Sequence, residues 1–177
     1  GISFPGVPVR DPDHYVERVL LAVLAGGMSA RLFTEVREKQ GLVYWVSAWH
    51  EQLRHLGMIH LGAATVPARW ERTYQTLMRE VARIAEDITD EELHRAKVGL
   101  IAEDTTSGAS VFARAADMIS DFFHLARVVP AEEKIAAIRN VTIADIRRYL
   151  EEHPRDRLSV VTVGHEPKLA AHAVPIN

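Results

Sequence analysis

Leu42-Val43-Tyr44-Trp45-Val46-Ser47-Ala48-Trp49, followed by Met58-Ile59-His60-Leu61-Gly62-Ala63-Ala64-Thr65-Val66, is the stretch on which the fold turns. β-Branched and aromatic residues dominate the first run, and such side chains suit a pleated, half-buried surface. The second run reads as its partner strand, joined through the polar connection from Gln52 to Gly57. Neighbouring strands linked this closely pair antiparallel.

Upstream, Ile2 to Phe4 reads as another strand, and Pro5-Gly6-Val7-Pro8 as a turn where prolines stop a ladder or helix. Asp11-Pro12-Asp13 predicts a helix start, with a capping carboxylate and proline at the first helical position. Val16, Val19, Leu20 and Val23 follow at helical spacing until Gly26-Gly27 ends the helix. A shorter helix is predicted from Ala30 to about Lys39, with Leu32, Phe33 and Val36 as its buried stripe.

Downstream, Trp70, Tyr74, Leu77, Met78, Val81 and Ile84 mark one long helix, and Leu93, Ala96, Leu100 and Ile101 a second. Thr89 with Glu92 is a capping box that opens the second. Ser110 to Ala126 repeats the pattern with Val111, Ala115, Met118, Ile119 and Phe122. Two short helices fill Ala131 to Arg139 and Thr142 to Glu152, and Leu158 to Val163 reads as a last strand ending at Gly164. Strands in a hairpin and helices in blocks predict an α+β fold of two layers, an antiparallel-biased sheet with helices packed on one face. Residues 1–164 are expected to form a single domain and 165–177 a loose tail.

The 177 residues are 47% hydrophobic and 25% charged, an ordinary globular balance. A net charge of −3 gives no electrostatic reason to expect nucleic acid or an anionic membrane as partner. No apolar run approaches the ~18–20 residues of a membrane span. The abrupt opening on Gly1-Ile2-Ser3-Phe4 reads like a piece of a longer protein. Absent cysteine excludes disulfides, thiolate metal sites and a cysteine nucleophile.

The nine histidines are the place to seek a metal. Helical zinc pairs need ligands one turn apart on one face, as in H-E-x-x-H or H-x-x-E-H. The nearest approach is His14-Tyr15-Val16-Glu17-Arg18, where a guanidinium stands in the second ligand position and cannot coordinate zinc. His14 and Glu17 therefore read as solvated helix-surface residues. His50, His55 and His60 are five apart across a hairpin connection, which is no ligand spacing, and His165-Glu166 lies in the tail. No G-x-S-x-G elbow and no G-x-x-x-x-G-K loop occurs, and Glu91 with Glu92 is explained by the helix dipole. From these residues alone the reading stops at an α+β domain that is not an autonomous enzyme.

One block carries further. Gly26-Gly27-Met28-Ser29-Ala30-Arg31-Leu32-Phe33-Thr34-Glu35-Val36-Arg37-Glu38-Lys39-Gln40-Gly41-Leu42-Val43-Tyr44 resembles the signature that opens the zinc-free C-terminal domains of insulinase, pitrilysin and mitochondrial-processing-peptidase-type metallopeptidases. The shared pattern is G-G-x-S-x-R-L-F-x-E-x-R-E-x-x-G-L-x-Y, and the likeness extends to about Gly164. The resemblance implies two similar α+β halves closing around an extended peptide. The zinc lies on the other half or on a partner subunit, with no cofactor in this chain. It also implies that Arg37 and Tyr44 are the substrate and oxyanion contacts. Gly26, Gly27, Ser29, Arg31, Phe33, Glu35 and Gly41 are then the structural part of the motif. Arg31 and Glu35 read as a supporting i,i+4 pair, and Gly41 as the turn between helix and strand. The family often carries a basic residue where this chain has Gln40.

Taken singly, Arg37 reads as a helix C-terminal cation against the face of Phe33, and Tyr44 as a half-buried strand aromatic. Within the block, the pair reads as functional. The resemblance leaves three expectations open. The chain is the substrate-gripping half of a peptidase, or the zinc-free subunit of a heterodimer. Alternatively it is a non-catalytic structural module like the core subunits of respiratory complexes. In isolation it exposes the face meant for a missing half, and self-association is expected.

Overall fold

The computed structural model describes residues 1–164; the expected tail, with His165-Glu166, lies outside the described residues. Four strands form one sheet: β1 (Ile2–Gly6), β2 (Val43–Gln52), β3 (Gly57–Thr65) and β4 (Ser159–Val160). Their order is β2-β3-β1-β4, and every pairing is antiparallel. The hairpin β2–β3 turns through Leu53 to Leu56, closed by a Leu53 N–H to Leu56 carbonyl bond of 2.8 Å. β4 is shorter than the predicted Leu158 to Val163. It pairs only with the start of β1, Ile2 opposite Val160 and Ser3 opposite Ser159, and past Val161 that partner has run out.

The helices are α1 (His14–Ala25), α2 (Trp70–Asp87), α3 (Asp90–Ser107), α4 (Val111–Leu125), α5 (Ala131–Asn140) and α6 (Ile143–Glu152). Phe33–Glu38 is a π-helical turn and Pro67–Arg69 a 3₁₀ turn that leads into α2. Alternation along the strands sends Ile2, Phe4, Ile59 and Leu61 inward. There they meet Val19, Leu20, Val81, Ile84, Ile138, Ile146 and Tyr149 from the helices. The opposite face of the sheet keeps Ser3, His60, Trp45 and Trp49 accessible to solvent. The fold is thus α+β, with its helices on one face of an antiparallel sheet.

Caps agree with the sequence at two helices. Thr89 and Glu92 form a reciprocal capping box on α3, and Thr142 with Asp145 does the same on α6. Two expectations need correction. α1 begins at His14 rather than at Pro12, because the Asp11 carboxylate accepts the Asp13 N–H at 2.9 Å and closes a local turn before the helix starts. The stripe of α4 is not buried at all. Ser110 caps its start and a left-handed Ala126 its end, yet no residue of the helix is buried.

Candidate functional site

The Gly26-to-Tyr44 block folds into a turn, a one-and-a-half-turn helix and the start of β2. Gly26 closes α1 by donating its N–H to the Ala22 carbonyl at 2.8 Å, and Gly27 follows at φ 131°. Ser29 is exposed in the succeeding turn. Leu32 and Val36 are fully buried while Phe33 is half-buried, which anchors the short helix on the core.

The helix then widens. Thr34 N–H bonds four residues back to Ala30, whereas Lys39 N–H reaches five back to the Thr34 carbonyl at 2.9 Å. Such π-turns are rare and concentrate at functional places. Gly41 ends the segment at φ 58°, where its N–H reaches the Arg37 carbonyl and Leu42 N–H reaches that of Val36, both at 3.0 Å. A Cβ on Gly41 would meet nothing within 4 Å, so the backbone conformation, not space, calls for glycine. The loop is gripped from α2 and its approach. Arg69 donates to the Gly41 carbonyl at 2.5 Å, and Arg72 donates to Gln40 Oε1 at 3.1 Å. That contact accounts for Gln40, since a lysine there would face the Arg72 guanidinium.

Arg37 lies on the π-turn, exposed, its guanidinium carbon 4.7 Å above the ring of Phe33. Tyr44 sits where the β2–β3 register slips. Val43 pairs with Thr65 and Trp45 with Ala64, leaving Tyr44 as the unpaired residue of a bulge, 84% exposed. Bulges re-aim a side chain at a strand end. Tyr44 is thus not the half-buried strand aromatic of the single-residue reading. Among the described residues neither side chain has a hydrogen-bond partner, so both donors are free.

Two other polar members of the motif, Arg31 and Glu35, are held in ion pairs, though not with each other as expected; Ser29 and Glu38 are exposed. Arg31 does not pair with Glu35. Its side chain is 6% exposed and binds Glu92 through two bonds of 2.9 and 2.7 Å, and Asp87 besides. It thereby locks the α2–α3 corner to the block. Burial alone would raise the Glu92 pKa, but the Arg31 and Thr89 hydrogen bonds outweigh it and hold the carboxyl below its usual range. Glu35 pairs instead with Lys39 at 2.6 Å, one turn along, because Arg31 faces inward.

The His14–Glu17 segment is the other departure. Glu17 is not a surface residue: it is fully buried. One carboxylate oxygen accepts the Val7 N–H at 2.8 Å and the Tyr149 hydroxyl at 2.6 Å. The other accepts from Gln52 at 3.1 Å and lies 3.5 Å from His50 Nδ1. A Cβ on Gly6 would come within 2.7 Å of this carboxylate, so glycine admits it. Burial pushes Glu17 up, but these hydrogen bonds outweigh it and hold the pKa below its ordinary value. Tyr149 is pushed well above its usual value by burial and by Glu17. His14, half-buried, is lowered to about 4 by burial first and by Arg18 next. No spacing rule reveals this network. Its one trace in the sequence is a glutamate on the Val16–Val19–Leu20 face.

This geometry does not fit zinc at the H-x-x-E-R position. Glu17 already accepts three hydrogen bonds in the core, and Arg18 is turned to Asp104 at 2.7 Å. Among the described residues, Asp13, Glu152 and His153 come close enough together to share a cation. Arg148 already bridges Asp13 and Glu152, at 2.6 and 2.9 Å.

The described residues thus form an α+β domain whose signature block presents an exposed arginine and an exposed tyrosine. The peptidase M16 inactive domain matches residues 1–100, more than half of the chain, and the chain belongs to that family. An uncharacterized zinc protease of Rickettsia felis is 29% identical over 146 residues, covering 82% of this chain and 35% of that protein. One from Streptomyces coelicolor is 28% identical over 165 residues, covering 92% and 36%. The chain therefore spans about a third of these relatives. Among solved structures, a peptidase M16 inactive domain from Pseudomonas fluorescens superposes with a TM-score of 0.77 at 22% identity, covering 89% of this chain and 38% of the other. A chain of complex III2 from Candida albicans, Inz-5 bound, gives 0.81 at 16%, covering 89% and 41%. At such identities the structural likeness establishes the fold alone.

Proposed function

We propose that this chain is the substrate-gripping, zinc-free half of a zinc-dependent peptidase, working opposite a homologous zinc-bearing domain or subunit. The single observation that carries the reading is the state of the motif's polar side chains. Arg31 and Glu35 are held in ion pairs, while Arg37 and Tyr44 stand exposed with no hydrogen-bond or ion-pair partner among the described residues. Arg37 rests on the ring of Phe33, as its single-residue reading has it, but its N–H donors and the Tyr44 hydroxyl are left open to a ligand.

In peptide hydrolysis at zinc, hydroxide attacks the scissile carbonyl and negative charge grows on its oxygen. A phenol and a guanidinium set on a rigid π-turn and bulge can stabilise that oxyanion or hold the neighbouring peptide carbonyls. The test is recombination with a zinc-bearing half of the family. Arg37→Ala and Tyr44→Phe should each lower peptide turnover ~100–1,000-fold while zinc content and association of the halves stay unchanged. Undiminished cleavage by the double variant would overturn the assignment.

The fold shared with a complex III2 chain favours a second reading, a non-catalytic core or partner subunit. It predicts no cleavage by any such pairing, with both variants assembling normally.

A further inference from the structure

Helix α4 is mounted inside out. Its polar side faces the body of the protein. Lys134 on α5 pairs with Asp121 at 3.0 Å and with Asp117 at 3.4 Å, and the Asp121 carboxylate accepts the Val129 N–H at 3.0 Å. Arg10 donates to the His124 carbonyl at 2.7 Å, and Arg54 to that of Phe123. Between this polar side and α1 lies an open cleft lined by Arg18, Asp104, Asp117 and His124. The apolar side points outward. Val111 is 79% exposed, Phe112 85%, Met118 50%, Ile119 69%, Phe122 65% and Phe123 63%. Three phenylalanines of roughly 200 Å² each, with the three aliphatic side chains, bring the exposed patch to on the order of 700 Å². That exceeds the ~300–600 Å² largest patch of a typical monomer. It is close to the ~800 Å² that each partner gives to a stable interface.

The pattern on that face is specific. Val111, Ala115, Met118, Phe122 and Leu125 are separated by alternating steps of four and three residues, the seam that packs against another helix. Phe112 and Ile119 widen it on one flank. We propose that two copies of this chain associate through α4, seam to seam and antiparallel about a two-fold axis near Met118. A two-fold contact uses the same patch on both copies, so one apolar seam suffices to bury both. The antiparallel arrangement also opposes the two helix dipoles favourably. The surface is separate from the Arg37–Tyr44 end, so the proposal does not depend on the peptidase reading. Arg54, which ties down α4, lies at the hairpin turn, and Tyr44 lies at the far end of β2, roughly 30 Å away at ~3.3 Å per residue.

The experiment is light scattering across ~1–100 µM protein, a range that brackets micromolar self-association, with two kinds of variant. The unaltered chain should run as a dimer at the upper end and dissociate on dilution. Ile119→Lys with Phe122→Asp should leave a monomer of unchanged circular dichroism. The chain has no cysteine, so Met118→Cys supplies a single thiol that should oxidise to a disulfide-linked dimer, whereas Gly99→Cys on α3 should not. A monomer throughout, even one whose α4 binds an apolar dye or lipid vesicles, overturns the proposal. So does a dimer that survives the charged variant. If the charged variant unfolds, Met118→Cys decides: a dimer that fails to cross-link overturns the α4 contact.

Discussion

Glu17 shows how much one buried charge can organise. Its carboxylate collects donors from the β1 exit, the end of β2 and α6, three places distant in sequence. Glu17→Ala would leave the Val7 N–H and the Tyr149 hydroxyl without their acceptor inside the core, while Gln52 keeps the Val7 carbonyl. Each buried donor left unsatisfied typically costs about 1–3 kcal/mol, and urea unfolding should register the sum. Tyr149→Phe removes one bond to a charged acceptor and should cost less, about 1.5–3 kcal/mol. Equal losses for the two variants would mean that the carboxylate matters only through the tyrosine. Gly41 poses a different problem, of backbone rather than contact. At φ 58° with open space around it, alanine should cost ~1–2 kcal/mol, and asparagine, which tolerates that region, less. The same order should appear in turnover if the turn sets the spacing of Arg37 and Tyr44.

At the scale of elements, the block is held by charges where its apolar contacts are few. The π-turn buries Leu32 and Val36, and Arg31 supplies the rest by reaching across to Asp87 and Glu92. Because Glu92 also caps α3, Arg31→Met should loosen two elements at once. Hydrogen exchange should rise both in the Phe33–Glu38 turn and in the first turn of α3. Thr89→Ala removes only the cap, so the expected loss is ~1 kcal/mol, with protection of the π-turn retained. Identical exchange patterns would break the claimed link between the α2–α3 corner and the candidate site.

For the whole molecule, the network fixes the sign of the pH dependence. Folded His14 takes up its proton only near pH 4, while the unfolded chain does so near 6.5. Between those values the unfolded state binds more protons, so stability falls as the pH falls. Glu17 adds to this lower down, because a depressed carboxylate loses its contribution as the pH drops below the unfolded value of 4.5. Tyr149 works at the other end: its raised value favours the neutral phenol, and that contribution is lost above pH 10. Melting temperature should therefore decline from pH 7 to 4, and His14→Gln should flatten the upper part of that decline. A slope unchanged in His14→Gln would place the acid sensitivity elsewhere.

What the sequence determined by itself is what depends on neighbours along the chain. The strand-forming composition of Leu42 to Thr65, the Thr89–Glu92 box and the Gly41 turn are all local, and all stand in the structure. The Gly26-to-Tyr44 motif also fixed the family, because many positions are specified within a short span. Only tertiary structure decided which polar residues face inward. Glu17 and Arg31 carry charges that a one-dimensional reading sends to solvent. Their partners, Tyr149, Val7, Asp87 and Glu92, lie 10 to 132 positions away. For α4 the failure ran the other way. Periodicity marks an apolar face whether or not anything covers it, and the contacts of Asp117, Asp121 and His124 turned that face outward.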